Sequence, residues 1–387
     1  MGRLLGSIFC TLVVAAPATA APDCRAGRWL DPAGGTVQRH EAVLSVAAER
    51  DVVLLGETHD DPEHHRWQLS VLAGLVGRRG DLVIGFEAFP ARVQPVLDRW
   101  VAGELSERAF LDAVGWERIW GLDPALYLPL FHFARLHRLP MLALNVDRAL
   151  VTRVAREGWA AIPAGERQGV GDPAPAMPAY VDRLREASGR HAGAADAAPN
   201  SDDPTLRRFV EAQLTWDRAM AEALARARTG PEAPLVVGVI GSEHLRHRYG
   251  VPHQLAALGV SDTAVLLPHE LAQGCSALVA GEADAVFVLD DPARAEPSRP
   301  RLGVSLATRG GEVQAVEVQP GSVAEASGLR AGDVIVEAAG RAVAGQAELI
   351  EIVRGMTPGA WLPLVLRRDG RRLEAVAKFP PSPGPER

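Results

Sequence analysis

Only three cysteines, three tyrosines and one lysine, Lys378, occur in the 387 residues. No CxxC pair or CxxCH is present, which excludes a zinc ribbon and covalently attached c-type haem. HExxH, GxSxG and the Gly-rich nucleotide signatures are also missing. The common zinc-protease helix, the nucleophile-elbow serine hydrolase and the usual nucleotide binders are therefore not expected. Positive charge is short as well: the net charge is −7. A general nucleic-acid or anionic-membrane binder needs an excess of Lys and Arg, so neither partner is expected. Beyond the N-terminus no apolar stretch is long enough to cross a bilayer. What remains is globular in composition, 47% hydrophobic and 23% charged. The length exceeds one ordinary core and calls for two or three domains.

The chain opens MGRLLGSIFCTLVVAAPATAAPDC. Arg3 gives a positive start, residues 4–16 an apolar core and Ala18-Thr19-Ala20 a small-residue cleavage site, so residues 1–20 read as a secretory signal peptide. Neither Cys10 nor Cys24 follows the small residues that lipid attachment prefers, and no lipid anchor is expected. Loss of Cys10 leaves Cys24 and Cys275. In an oxidising compartment they are expected to pair, two unpaired thiols being the alternative.

Six short apolar runs follow, at 51–56, 81–89, 139–147, 234–241, 263–268 and 284–289, separated by helical patterns. Near-continuous apolar strands alternating with helices predict an α/β fold, a mostly parallel sheet flanked by helices. Helices are expected after Asp61-Pro62-Glu63 and over 92–101, 124–138, 148–157 and 203–228. Residues 161–203 are rich in Pro, Gly and Ala and read as an insertion with a short helix near 179–187, either a cover over a pocket or padding. Residues 290–300 have linker composition, and 381–387 form a tail.

The chemistry gathers at strand ends. In VVLLGETHDDPEHHRWQL, Glu57 and His59 are two apart and point to one side just past a strand. Glu87 falls just past VIGF, and His244 three residues beyond Gly241 after VVGVI. Open α/β sheets bind ligands at that rim, so these four residues are expected to converge. Asp60 and Asp61 are explained as caps. His64 and His65 occupy the first helical turn, where the helix dipole disfavours the imidazolium, which leaves neutral ligating rings or a surface role.

GETHDDPEHHRWQL, GFEAF, DPALYLPLFHFARLHRLPMLALNVDRALVTRVAREG, FVEAQLTWDRAMA and GSEHLRHRYGVP together resemble, in order, the ChaN-like haem-binding proteins over about 27–275, within a domain expected to span 27–289. The wider superfamily resembles erythromycin esterases and Tiki-type metal-dependent proteases through shared GExH and GxxH elements. The resemblance implies bacterial haem or iron uptake, a periplasmic location and a non-covalent haem, and it places Glu57, His59, Glu87 and His244 in the shared polar centre. Asn145 is followed by Val146-Asp147 where parts of the family carry a small residue, Pro and Arg, which leaves Asp147 without a role.

Haem iron takes His, Met, Cys or Tyr as axial ligand. Tyr127 and Tyr249 lie inside the family-like motifs and are the preferred ligands, with His64 a further candidate; Tyr180 falls in the expected cover. A haem between two subunits would make a homodimer. The rival reading is a hydrolase in which Glu57 or Glu87 takes a proton from water, while His59 and His244 hold zinc or manganese. A third class is a noncatalytic periplasmic adaptor.

From Arg301 the pattern turns to short strands with one helix near 345–354. PGSVAEASGLRAGDVIVEAAGRAV, with Gly328-Leu329-Arg330-Ala331-Gly332-Asp333 at its centre, resembles a PDZ domain, and 301–380 are expected to form this small, mainly β unit. Such domains capture a peptide or protein C-terminus as an added strand, which points to Leu302, Gly303 and Val304.

Overall fold

A computed structural model describes residues 24–191, 203–228, 233–290, 300–357 and 359–380. The expected signal peptide, most of the linker and the tail lie outside the described residues. Two compact units divide near residue 291.

The first unit contains β1 (Trp29–Leu30), β2 (Val37–Gln38), α1 (His40–Ala48), β3 (Val52–Glu57), α2 (Pro62–Val76) and β4 (Leu82–Pro90). Next come α3 (Gln94–Val101), α4 (Glu107–Val114), α5 (Trp116–Ile119), α6 (Leu128–Leu136), β5 (Met141–Asn145) and α7 (Arg148–Glu157). It closes with α8 (Pro178–His191), α9 (Pro204–Ala227), β6 (Leu235–Gly241), α10 (Val251–Ala257), β7 (Thr263–Glu270) and β8 (Ala285–Leu289). The eight strands form one sheet in the order β2-β1-β8-β7-β3-β6-β4-β5. Its strands are parallel except for β1, which runs antiparallel to β2 and β8 at one edge.

The expected parallel α/β sheet is what the chain forms. Every residue of β3 is buried, because alternate residues enter cores on opposite faces. Val53 and Leu55 pack with Trp67, Phe86 and Phe131, while Val52 and Leu54 pack with Met220, Leu224 and Ile240. The parity that sends Val53 and Leu55 to the aromatic face sends Glu57 there too. At the start of α2, Asp61 accepts from the Glu63 and His64 amides at 2.8 and 3.4 Å and Pro62 occupies the first turn, as the sequence signals. Cys24 and Cys275 form a disulfide, with Cα atoms 5.7 Å apart, that ties the start of the described chain to the segment after β7. Among the described residues no helix is long and apolar enough to cross a membrane.

The second unit is a small sheet built from β9 (Val304–Arg309), β10 (Glu312–Val318), β11 (Val334–Ala338), β12 (Arg341–Ala342), β13 (Trp361–Arg368) and β14 (Arg371–Lys378), with α11 (Val323–Ala326) and α12 (Gln346–Arg354). The strands run β14-β13-β11-β10-β9, all pairs antiparallel, with β12 beside β11. Leu302, Val313, Ile335, Leu349 and Leu364 meet in its core. Strands β12 and β14 and helix α11 are additions to the sequence reading.

Candidate functional site

Beyond the carboxyl ends of β3, β4, β5 and β6 lies a cavity of about 830 Å³. His59, Glu87 and His244 line it, as the strand-end reading expects. Its apolar wall includes Trp120, Ile119, Leu122, Val146 and Trp216, and Arg92, Arg118 and Arg148 add positive charge. Asp147, unassigned from sequence, accepts from Arg92 Nε at 2.6 Å and so fixes one of those arginines at the wall.

Glu57 lies beneath the cavity, 3% exposed. One oxygen meets His59 Nδ1 at 2.8 Å and accepts from the Tyr127 hydroxyl; the other accepts from Gln68 Nε2 at 2.9 Å. Burial alone would raise its pKa, but the bond from His59, the nearby His65 and the Tyr127 hydroxyl lower it overall. A carboxylate so fully engaged is an anchor for His59. The expectation that Glu57 takes a proton from water therefore does not fit the geometry; Glu87, on the cavity wall, is the carboxylate placed to do so.

Burial would lower the pKa of His59, yet Glu57 bonded to Nδ1 and the nearby Glu87 raise it overall. The ring is about a third exposed and stands edge-on to Trp120, with centroids 4.7 Å apart. His244 is anchored in the same manner from another element: Nδ1 lies 2.6 Å from Asp217 Oδ1 on α9. Burial opposes protonation there, but Asp217 and then Glu87 push the pKa up to about 9. Glu87 Oε2 accepts from the Gly241 amide at 2.7 Å, and its Oε1 lies 3.9 Å from His59 Nε2 and 3.8 Å from His244 Nε2. At Gly241 an added Cβ would come within 2.9 Å of His59 Cε1, so a larger residue there would have to displace the His59 ring.

With each Nδ1 facing a carboxylate, each ring keeps that proton, so a bound cation that displaces the Nε2 proton would find the lone pair directed toward Glu87. Two imidazoles and one carboxylate on one centre suit a divalent ion, and an imidazole braced by a carboxylate is an electron-rich ligand for iron. The donor set thus fits either group.

The three haem-ligand candidates chosen from sequence are not brought to the cavity. Tyr127 is 1% exposed, and its hydroxyl is engaged with Glu57. Burial first and the adjacent carboxylate second hold its pKa far above the ordinary value, so it remains a phenol. Tyr249 packs against Tyr180 and His247 beside α8, with ring centroids 6.1 and 5.2 Å away. His64 and His65, each 3% exposed, have no surface role. His64 Nδ1 accepts from the Thr58 amide at 2.8 Å, so the neutral ring carries its proton on Nε2. Burial lowers its pKa despite Asp61 and Glu270. Nε2 faces Asp61 and Glu270 at 3.8 and 3.3 Å, a grouping of metal-ligand types, but its proton leaves no lone pair for an ion. His65 Nε2 meets the His59 carbonyl at 3.0 Å and steadies that turn.

Asp217 and Gln68 are the residues that sequence reasoning missed. A signal was present for Asp217: it lies in the apolar stripe of α9 with Leu214, Ala221 and Leu224 and is completely buried. An acid in such a stripe needs a partner.

In the second unit, Leu302, Gly303 and Val304 line a groove of about 350 Å³ between β9 and α12, together with Leu349 and Val353. Gly303 has φ +75°, and a Cβ there would lie 2.3 Å from that of Ser322. Among the described residues β9 pairs on one side only, with β10.

Residues 43–255, more than half of the chain, match the family described as haem-binding uptake, Tiki superfamily, ChaN, and 300–378 match the PDZ domain. ChaN of Campylobacter jejuni, a structure described as showing cofacial haem binding, is 19% identical over 67% of this chain and 95% of its own, with a TM-score of 0.54. A serine endoprotease from Yersinia pestis aligns at 21% identity over 21% of this chain and 29% of its own, TM-score 0.20. The HtrA3 PDZ domain bound to a phage-derived ligand aligns at 26% identity over 20% and 82%, TM-score 0.19. No curated protein matches. The chain belongs to the ChaN family of haem-binding proteins in the Tiki superfamily, with a PDZ domain following.

Proposed function

We propose that this is an exported haem-handling protein of iron uptake that binds haem non-covalently in the cavity above β3, β4 and β6, with His59 Nε2 toward the iron. The observation that carries it is the His59 ring: partly exposed in an 830 Å³ cavity while Nδ1 is fixed on a buried carboxylate. Such bracing strengthens a histidine ligand. Trp120, Ile119 and Val146 offer apolar wall to a porphyrin, and Arg92, Arg118 and Arg148 offer charge to its carboxylates. The cavity lies within the usual ligand-site range of about 300–1,000 Å³. The N-terminal signal pattern and the disulfide support export to the periplasm. An open cavity further supports a homodimer in which a second copy covers the bound haem. The PDZ groove supports capture of a peptide or protein C-terminus along β9, through Leu302, Gly303 and Val304. Haemin titration read in the Soret region tests the haem reading: saturable binding lost in His59→Ala is the expected result. Diffuse binding that ignores this change would contradict it.

The two Nε2 atoms 3.9 and 3.8 Å from Glu87 Oε1 favour a second reading, a metal-dependent hydrolase or protease. His59, Glu87 and His244 would hold zinc or manganese, which supplies a Lewis acid and acidifies bound water. On this reading Glu87→Gln should abolish metal uptake measured by elemental analysis, whereas haem binding through His59 should survive it.

A further inference from the structure

The buried polar groups behind the cavity form two chains built in the same order, tyrosine, carboxylate, imidazole. In one, Tyr127 donates to Glu57, which faces His59. In the other, Tyr180 donates to Asp217 Oδ2 at 2.8 Å while Asp217 Oδ1 faces His244 at 2.6 Å. Both end at an Nε2 near Glu87 Oε1. Tyr127 precedes α6 within the aromatic core, but Tyr180 sits on α8, inside the segment that the sequence marks as an insertion.

Asp217 is 0% exposed and Tyr180 2%. Water cannot replace the phenol, so loss of that hydroxyl leaves a buried carboxylate oxygen unpaired. Nor is Asp217 free to swing: a Cβ on Gly250 would lie 2.8 Å from its Oδ1 and 2.4 Å from the His244 carbonyl, so main chain packs against both residues. A second tie runs from α8 to the same place, because Arg183 Nη2 donates to both oxygens of Glu243, the residue before His244, at 2.9 and 2.8 Å.

We propose that Tyr180 is a positioning residue: acting through Asp217, it fixes the His244 ring, and so couples docking of the insertion helix α8 to ligand occupancy of the cavity. The proposal rests on the reading that the cavity holds a ligand near the two Nε2 atoms. Coupling is reciprocal, so a ligand that needs the fixed ring also holds α8 in place.

The test uses the full chain as wild type, Tyr180→Phe, Asp217→Asn and the double variant. The first readout needs no ligand: the His244 Nδ1 proton, shared with a buried carboxylate, gives a protected far-downfield NMR resonance, assigned by its loss in His244→Gln. Tyr180→Phe is expected to move this resonance, since Asp217 loses a donor. The second readout is haemin affinity. Tyr180→Phe is expected to weaken it, by less than His59→Ala does, because His244 borders the haem cavity without holding the iron. Because Tyr180 acts through Asp217, the double variant should bind no worse than Asp217→Asn alone. An absent or unmoved resonance overturns the proposal, as do losses that add in the double variant. If wild type binds no haemin saturably, the haem reading fails on its own, and the resonance still decides the role of Tyr180.

Discussion

In the first unit the groups that face the ligand space are side chains, each tied through the interior: His59 to Glu57 and Tyr127, His244 to Asp217 and Tyr180. In the PDZ unit the groove relies on main chain at Leu302–Val304 and on apolar walls, and Asp333 is the one buried polar side chain among the unit's described residues. Asp333 does not face the groove; it pairs with Arg368 at 2.7 Å and holds β13 to the turn before β11. The contrast separates two ways of building specificity. Chemistry on a metal or haem needs fixed lone pairs and pays for them with buried charge, whereas strand addition needs only an open edge and a shaped pocket.

The largest effect should come from removing an anchor. Glu57→Ala strands the Gln68, His59 and Tyr127 donors in the interior and is expected to destabilise the first unit by about 3–5 kcal/mol. Calorimetry of the full chain should show that unit's transition fall while the PDZ transition stays. Equal loss in both would erase the distinction between the units.

Gly303→Val is the reciprocal probe. Positive φ and the clash with Ser322 are expected to cost the PDZ unit about 1–3 kcal/mol and abolish binding to an immobilised C-terminal peptide library. Haemin binding should be untouched.

Titration sharpens the comparison by sign. His244 binds its proton more tightly folded than unfolded, so its contribution is complete below about pH 6.5 and is lost as pH rises through about 9. For Asp333, burial would raise the pKa, but the bonds from Arg368 and the Arg330 amide lower it overall. Its contribution is present above the ordinary value of 3.8 and is lost as pH falls below it. Denaturant unfolding followed separately for each unit should therefore show an alkaline loss in the first unit that Asp217→Asn removes, and an acid loss in the PDZ unit that Asp333→Asn removes. The smallest effect is expected from Arg183→Ala: its partner Glu243 is exposed, and such a pair contributes about 0–1 kcal/mol.

The sheet was legible because its central strands, buried on both faces, are written as unbroken apolar runs. The rim was legible too, since Glu57 comes directly after VVLLG, Glu87 directly after VIGF, and His244 three residues past Gly241. The link from Asp217 to Tyr180 and His244 was not, because the three are remote in sequence; the acid in the apolar stripe of α9 signalled only that some partner was needed. Tyr127 misled for a related reason. Its place in a family-like motif marks it as part of the site, but only the fold shows that its hydroxyl faces Glu57 rather than the cavity. Strand β14 was missed because its arginines and Glu374 hide the strand pattern in an exposed edge.

The most direct measurement is the Soret titration of the full chain with haemin, run on wild type, His59→Ala, Tyr249→Phe and Tyr127→Phe. If His59 holds the iron, wild type and Tyr249→Phe bind saturably with one affinity, Tyr127→Phe binds more weakly with an unchanged spectrum, and His59→Ala loses the defined complex. Saturable binding that survives His59→Ala, or a spectrum altered by removal of either phenol, would contradict the assignment of His59.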